Sequence, residues 1–210
     1  MKTANKTAYF VKIAMLGVLA YVVMFLEAAL PFFPSFLKMD LSDLIPLVGA
    51  LALGPVAGML IELLKNLLHL ITTHTGGVGE LANFIVGSAF VMTAGAVYAK
   101  HKTRRGALAA LLCAIAAMVA AGALVNYFIT IPLYALVLGW STEMIVGMSA
   151  KVIPAIHDKL TLILFAFCPF NLLKGVVLTL ITVPLYKKVS PLLKRESLRR
   201  AEEKHSEGSL

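Results

Sequence analysis

The apolar stretch from Leu44 to Ile71 is interrupted by Gly54-Pro55, and that interruption decides how the chain threads a bilayer. Proline lacks a backbone donor and biases the preceding residue away from helix. The stretch therefore reads as one kinked span or as two short ones. Charge separates the two. Lys2, Lys6 and Lys12 make the N-terminal segment basic, and Lys100, Lys102, Arg104 and Arg105 make a later loop basic. Short basic loops stay cytoplasmic. Both can be cytoplasmic only if an even number of crossings lies between them. Apolar blocks 9–29 and 81–99 supply two. The 44–71 block must then cross twice, with Gly54-Pro55 as its cytoplasmic turn.

Two further apolar segments follow, from Gly106 to about Leu136 and from Leu160 to Leu185. The predicted fold class is an all-α integral membrane protein with six transmembrane helices and both termini cytoplasmic. Residues 1–189 form the membrane domain. Residues 190–210 form a charged cytoplasmic tail that is expected to be disordered. Lys187, Lys188, Lys194, Arg195, Arg199, Arg200 and Lys204 follow the last span and agree with this orientation. Of the 19 Lys and Arg, Lys38, Lys151 and Lys159 fall outside, and Lys65 and Lys174 sit at membrane depth.

A chain that is 60% hydrophobic, with mean hydropathy +0.88, is a membrane protein by composition. The net charge of +8 is then a topology signal and argues against a nucleic-acid partner. No Walker A glycine-lysine motif is present, so an ATP-driven step needs a partner. No small-residue cleavage site follows the first apolar run, which reads as a retained helix. Cys113 and Cys168 lie in apolar runs and read as unpaired packing residues.

The piece from Leu41 to Leu53 is too short to span, since a crossing needs about 20 helical residues. Its outer end must begin below the outer surface, or the preceding loop must dip inward. That loop, Pro31 to Asp40, carries Phe32, Phe33, Phe36, Leu37 and Met39. Apolar loops at membrane depth persist when they are buried or line a cavity. It reads as a lid over an outward-facing pocket; an interfacial loop anchored by its phenylalanines is the alternative.

Polar side chains at depth are functional candidates by default. Asn171 and Lys174 are three apart and share a helix face. No acidic residue on that helix offers Lys174 a partner, which favours ligand recognition over interhelical glue. Asn126 falls in the outer half of the fifth span and could instead bond a neighbouring helix. Glu80 and Asn83 open the fourth helix and share a face; Glu80 could equally complement the helix dipole. Glu62, Lys65, Asn66 and His69 form a stripe on the third helix. Glu62 and Lys65 can neutralise each other, so that stripe reads as structural or partner-facing. Catalytic patterns are thin. His69 and His74 are five apart and do not make an i, i+4 zinc pair. No metal site, catalytic residue or cofactor is expected, and the chain is not read as an enzyme.

Three strings resemble the substrate-binding (S) components of energy-coupling factor (ECF) transporters. They are Phe36-Leu37-Lys38-Met39-Asp40-Leu41-Ser42-Asp43, Leu53-Gly54-Pro55-Val56-Ala57-Gly58 and Gly76-Gly77-Val78-Gly79-Glu80-Leu81-Ala82-Asn83-Phe84. The resemblance covers about residues 8–188, and the riboflavin-binding branch is nearest. It implies a six-helix unit with a vitamin pocket opening outward under the first outer loop. It also implies work alongside a membrane coupling (T) protein and two ABC-type ATPases in the cell membrane of a prokaryote. By the same resemblance, Asn126 and the Asn171/Lys174 pair read the flavin ring. Leu37, Met39 and Asp40 match the lid, and Glu80 and Asn83 match by motif. Ala14, Gly17 and Ala20 are small residues spaced by three on the first helix and stand in loosely for a partner-docking motif.

A flavin suits these residues. Isoalloxazine is a flat apolar plate with carbonyls and ring nitrogens along one edge, so it needs an apolar slot and convergent donors. The transported ligand is read as riboflavin or its phosphate, FMN. Another vitamin of similar size could use the same groups. A stand-alone secondary transporter is disfavoured because no inverted repeat is visible.

Overall fold

At Gly54 the backbone takes φ +107°, a region L side chains rarely adopt, and no atom beyond its chain neighbours lies within 4 Å of where a Cβ would stand. In the computed structural model, which describes residues 2–184, this glycine ends α2 (Leu44–Leu53), and Pro55 opens α3 (Pro55–His69). The missing proline N–H is harmless at a helix start. The two helices fold back on each other. A Cβ on Gly58 would lie 2.6 Å from the Ala50 Cβ and 3.0 Å from the Pro46 carbonyl. Without a side chain there, the backbones come close enough for van der Waals packing to hold the pair in an apolar medium. The 44–71 stretch is thus two helices hinged at Gly54, as the glycine-proline break predicts. α2 has 10 residues, about 15 Å, roughly half of a hydrocarbon core.

Around this hairpin stand α1 (Lys2–Met24), α4 (Val78–Lys100), α5 (Arg104–Leu138) and α7 (Lys159–Pro184). These four, with α3 and the 3₁₀ turn that extends it to Thr72, are the five described helices long and apolar enough to cross a membrane. The chain is a multi-pass membrane protein. The tail residues from Lys187 to Lys204, and the expected boundary at residue 189, lie outside the described residues.

Two features escape the sequence reading. Residues Ala28–Ala29 (β1) and Lys38–Met39 (β2) pair antiparallel, Ala28 opposite Met39 and Ala29 opposite Lys38, which ties the loop between them into a hairpin. A short helix, α6 (Thr142–Ala150), follows α5, and its first turn is capped by Ser141, whose hydroxyl accepts from the Met144 N–H. Asp158 caps α7 in the same way, accepting from the Thr161 N–H at 2.7 Å. That hydrogen bond holds its carboxyl below the usual range.

Packing divides into two zones. Near the Gly54 turn, Leu47 and Ala50 of α2 meet Phe90, Val91 and Ala94 of α4, Leu111 and Ala114 of α5, and Leu178 of α7. At the opposite end, Leu37 and the partly buried Phe33 and Phe36 join Ile131 and Tyr134 of α5 with Leu162, Phe167 and Phe170 of α7. α1 is held from one side, by Ile13 and Ala20 against Ala57 and Ile61 of α3.

Candidate functional site

Both helices that carry the predicted amides are irregular close to them, α5 at Asn126 itself and α7 one turn before Asn171. α5 widens to a π-helical turn at Asn126–Thr130, and α7 does so at Ile163–Phe167. Such bulges free backbone groups and are frequent at functional sites. The Asn126 Nδ2 donates to the Gly122 carbonyl at 2.7 Å, and the Asn171 Nδ2 donates to the Phe167 carbonyl at 2.9 Å. Each amide is thereby oriented by its own helix. Each keeps one N–H and its carbonyl oxygen for another partner. Asn171 lies flat against α5, because a Cβ on Gly122 would collide with its Nδ2.

These groups face a cavity of about 130 Å³. Leu37, Asn83, Asn126, Asn171 and Lys174 line it, so five of the eight predicted binding residues converge. Its apolar walls come from Phe36, Met118, Phe167 and Phe170. The Asn83 Oδ1 is buried without a hydrogen-bond partner among the described residues. The other three predicted residues are placed differently. Met39 pairs with Ala28 and packs in the lid-end cluster. Asp40 does not line the cavity but grips Lys174 at 2.9 Å. Glu80 accepts from the Thr75 hydroxyl at 2.8 Å and lies 2.9 Å from the His69 Nδ1, so it clasps α4 to the end of α3.

Lys174 is not a lone cation. Its ammonium sits between Asp40, just after β2, and Asp43, at the start of α2, at 2.9 and 2.8 Å. Asp43 also pairs with Lys65, and Lys65 pairs with Glu62 at 2.7 Å. The five groups form a buried chain of alternating charge, Asp40–Lys174–Asp43–Lys65–Glu62, that joins the end of the 28–39 hairpin to α2, α3 and α7. No acidic residue on its own helix pairs with Lys174, as expected; its partners come from Asp40 and Asp43 instead. The Glu62/Lys65 pairing is present and extends further than the stripe alone indicates.

The missed contacts had a signal. Asp43 and Lys65 are equidistant from Gly54, so a hairpin hinged there sets them opposite each other. A second glycine follows the pattern of Gly122. A Cβ on Gly87 of α4 would lie 2.9 Å from the Glu62 carboxyl carbon, so that glycine leaves room for the chain.

The small-residue row on α1 needs correcting. Gly17 and Ala20 are buried, and a Cβ on Gly17 would fall 2.5 Å from Leu64 of α3. These two residues serve the packing of α1 on α3 within the chain. Only Ala14 of the three is exposed.

Residues 8–186 match the family model of the ECF transporter substrate-specific component. The chain belongs to this family. It is 32% identical over 185 residues to the riboflavin transporter RibU of Staphylococcus aureus (strain TCH60), covering 88% of this chain and 92% of that protein. It is 30% identical over 196 residues to the riboflavin transporter FmnP of Bacillus subtilis (strain 168), covering 91% and 96%. Its fold is similar to a solved S component of a bacterial ECF transporter, with a TM-score of 0.70, 30% identity, and coverage of 90% of this chain and 99% of that one. In this S component the buried ion pairs and the Asn83, Asn126 and Asn171 amides gather at one end of the bundle, under the first hairpin.

Proposed function

We propose that this S component is the riboflavin-binding subunit of an ATP-driven vitamin importer in a bacterial cell membrane. The observation that carries the reading is the convergence of Asn126, Asn171 and Lys174 on one cavity walled by Phe36, Phe167 and Phe170. A flat ring fits between aromatic and apolar walls, and its polar edge meets two oriented amides and an ammonium. The names of the relatives support flavin as the ligand.

The reading includes six crossings, with α2 as a short one, both termini cytoplasmic, and the cavity opening outward beneath the 28–39 hairpin. The cavity is smaller than the roughly 300 Å³ or more of typical small-molecule sites. The hairpin therefore lifts to admit the ligand and closes through Phe33 on Phe170 and Phe36 on Phe167, ring pairs now 5.4 and 6.1 Å apart. The chain binds and does no chemistry. A membrane coupling protein and two ATPases supply the work, and the exposed side of α1 that carries Ala14 is where the coupling protein docks.

Purification tests this directly. The chain alone should be yellow or take up riboflavin, and vesicles holding it alone should not accumulate flavin. A colourless protein without flavin affinity overturns the ligand. Accumulation against a gradient by the chain alone overturns the subunit role.

A further inference from the structure

The end of the bundle near Gly54 carries a second cavity that the transport reading does not use. It is a groove of about 190 Å³ between the end of α2, the start of α5 and the end of α7. Leu51, Leu108, Leu111 and Val183 make it apolar, and Arg104 stands in its lining with Thr182. Leu108 and Val183 are partly open to the outside of the bundle. Arg104 is exposed and has no ion-pair partner among the described residues. No acidic residue occurs between Glu80 and Glu143, while Lys100, Lys102 and Arg105 flank it.

We propose that this groove holds one anionic phospholipid, its headgroup phosphate on Arg104 and one acyl chain along Leu51, Leu108, Leu111 and Val183. A guanidinium matches a phosphate with paired donors. An apolar slot beside it takes the chain that the phosphate drags along, and basic pockets between membrane helices are a recurring headgroup site. The charge complement selects an anionic lipid over a zwitterionic one. The site lies at the opposite end of the bundle from the amide cavity, so it stands or falls independently of the flavin reading.

Native mass spectrometry of the delipidated full chain in micelles, titrated with phosphatidylglycerol, tests it. One retained lipid per chain is expected, with weaker retention of phosphatidylcholine and no displacement by inorganic phosphate. Arg104→Gln should lower affinity about fivefold, the value of one basic residue at a membrane surface, while the neighbouring Lys102→Gln should lower it less than about twofold. Val183→Trp fills the groove without changing charge and should weaken retention about fourfold or more, since each acyl CH₂ kept out of the slot loses its apolar contact. Leu108→Trp replaces it if that variant shows altered thermal unfolding. Equal losses for Arg104→Gln and Lys102→Gln would mean diffuse attraction and overturn the site. Full retention after filling the groove, or displacement by phosphate, would overturn the acyl-chain slot.

Discussion

The two ends of this bundle solve different problems with the same residue types. Near Gly54, small residues bring backbones together. Gly58 lies against Ala50, and a Cβ on Gly95 would stand 3.0 Å from Pro55 and 3.1 Å from the Ala50 carbonyl. The helices there are regular and the interior is apolar. At the lid end, glycines instead make room for polar side chains, Gly122 for Asn171 and Gly87 for Glu62. The helices bulge, and the five linked ionisable side chains are buried together with Glu80. In lipid, helix association is driven by close packing more than by apolar burial. One end uses that packing to hold the bundle. The other gives some of it up to present a site.

The comparison breaks most visibly at Lys174. Lys174→Met leaves Asp40 and Asp43 buried with one shared counter-charge gone, and removal of one partner of a buried pair costs about 3–5 kcal/mol. Thermal unfolding in micelles should show that loss, together with loss of flavin binding. Gly58→Leu tests the other end. It forces a side chain into the Ala50 contact at a cost of about 1–3 kcal/mol, and the folded fraction should bind flavin with parental affinity in a fluorescence titration. Gly122→Ala separates site from scaffold more finely. Its methyl displaces the Asn171 amide, so flavin affinity should fall about tenfold, while unfolding shifts by less than about 1 kcal/mol. The smallest effect belongs to Lys38→Gln, which removes the solvent-facing pair with Glu27 and should change stability by under about 1 kcal/mol in the same unfolding assay.

Much of this contrast is legible in the chain. The Gly54-Pro55 break gives the hairpin because both residues act locally, through φ and a missing donor. Asn126, Asn171 and Lys174 stand out because polar groups are rare in apolar runs. Partnership was harder to read. Lys174 finds its acids 134 positions away in the chain at Asp40, a contact no helical spacing reveals. The bulges at Asn126 and Ile163 have no composition that marks them, and the fate of Gly17 depended on which helix Leu64 faced. Small residues on α1 look the same whether they meet a partner protein or α3.

Asn126 and Asn171 reading a flavin edge is the central claim, and riboflavin fluorescence quenching measures that most directly. Titration of the wild type, Asn126→Ala and Asn171→Ala should give tight binding for the first. Each variant should bind about tenfold or more weakly, because a buried polar atom of the ligand loses its partner at about 1–3 kcal/mol. Thermal unfolding of both variants should stay near the wild type. Parental affinity in both variants would contradict the account and make the amides internal ties of α5 and α7.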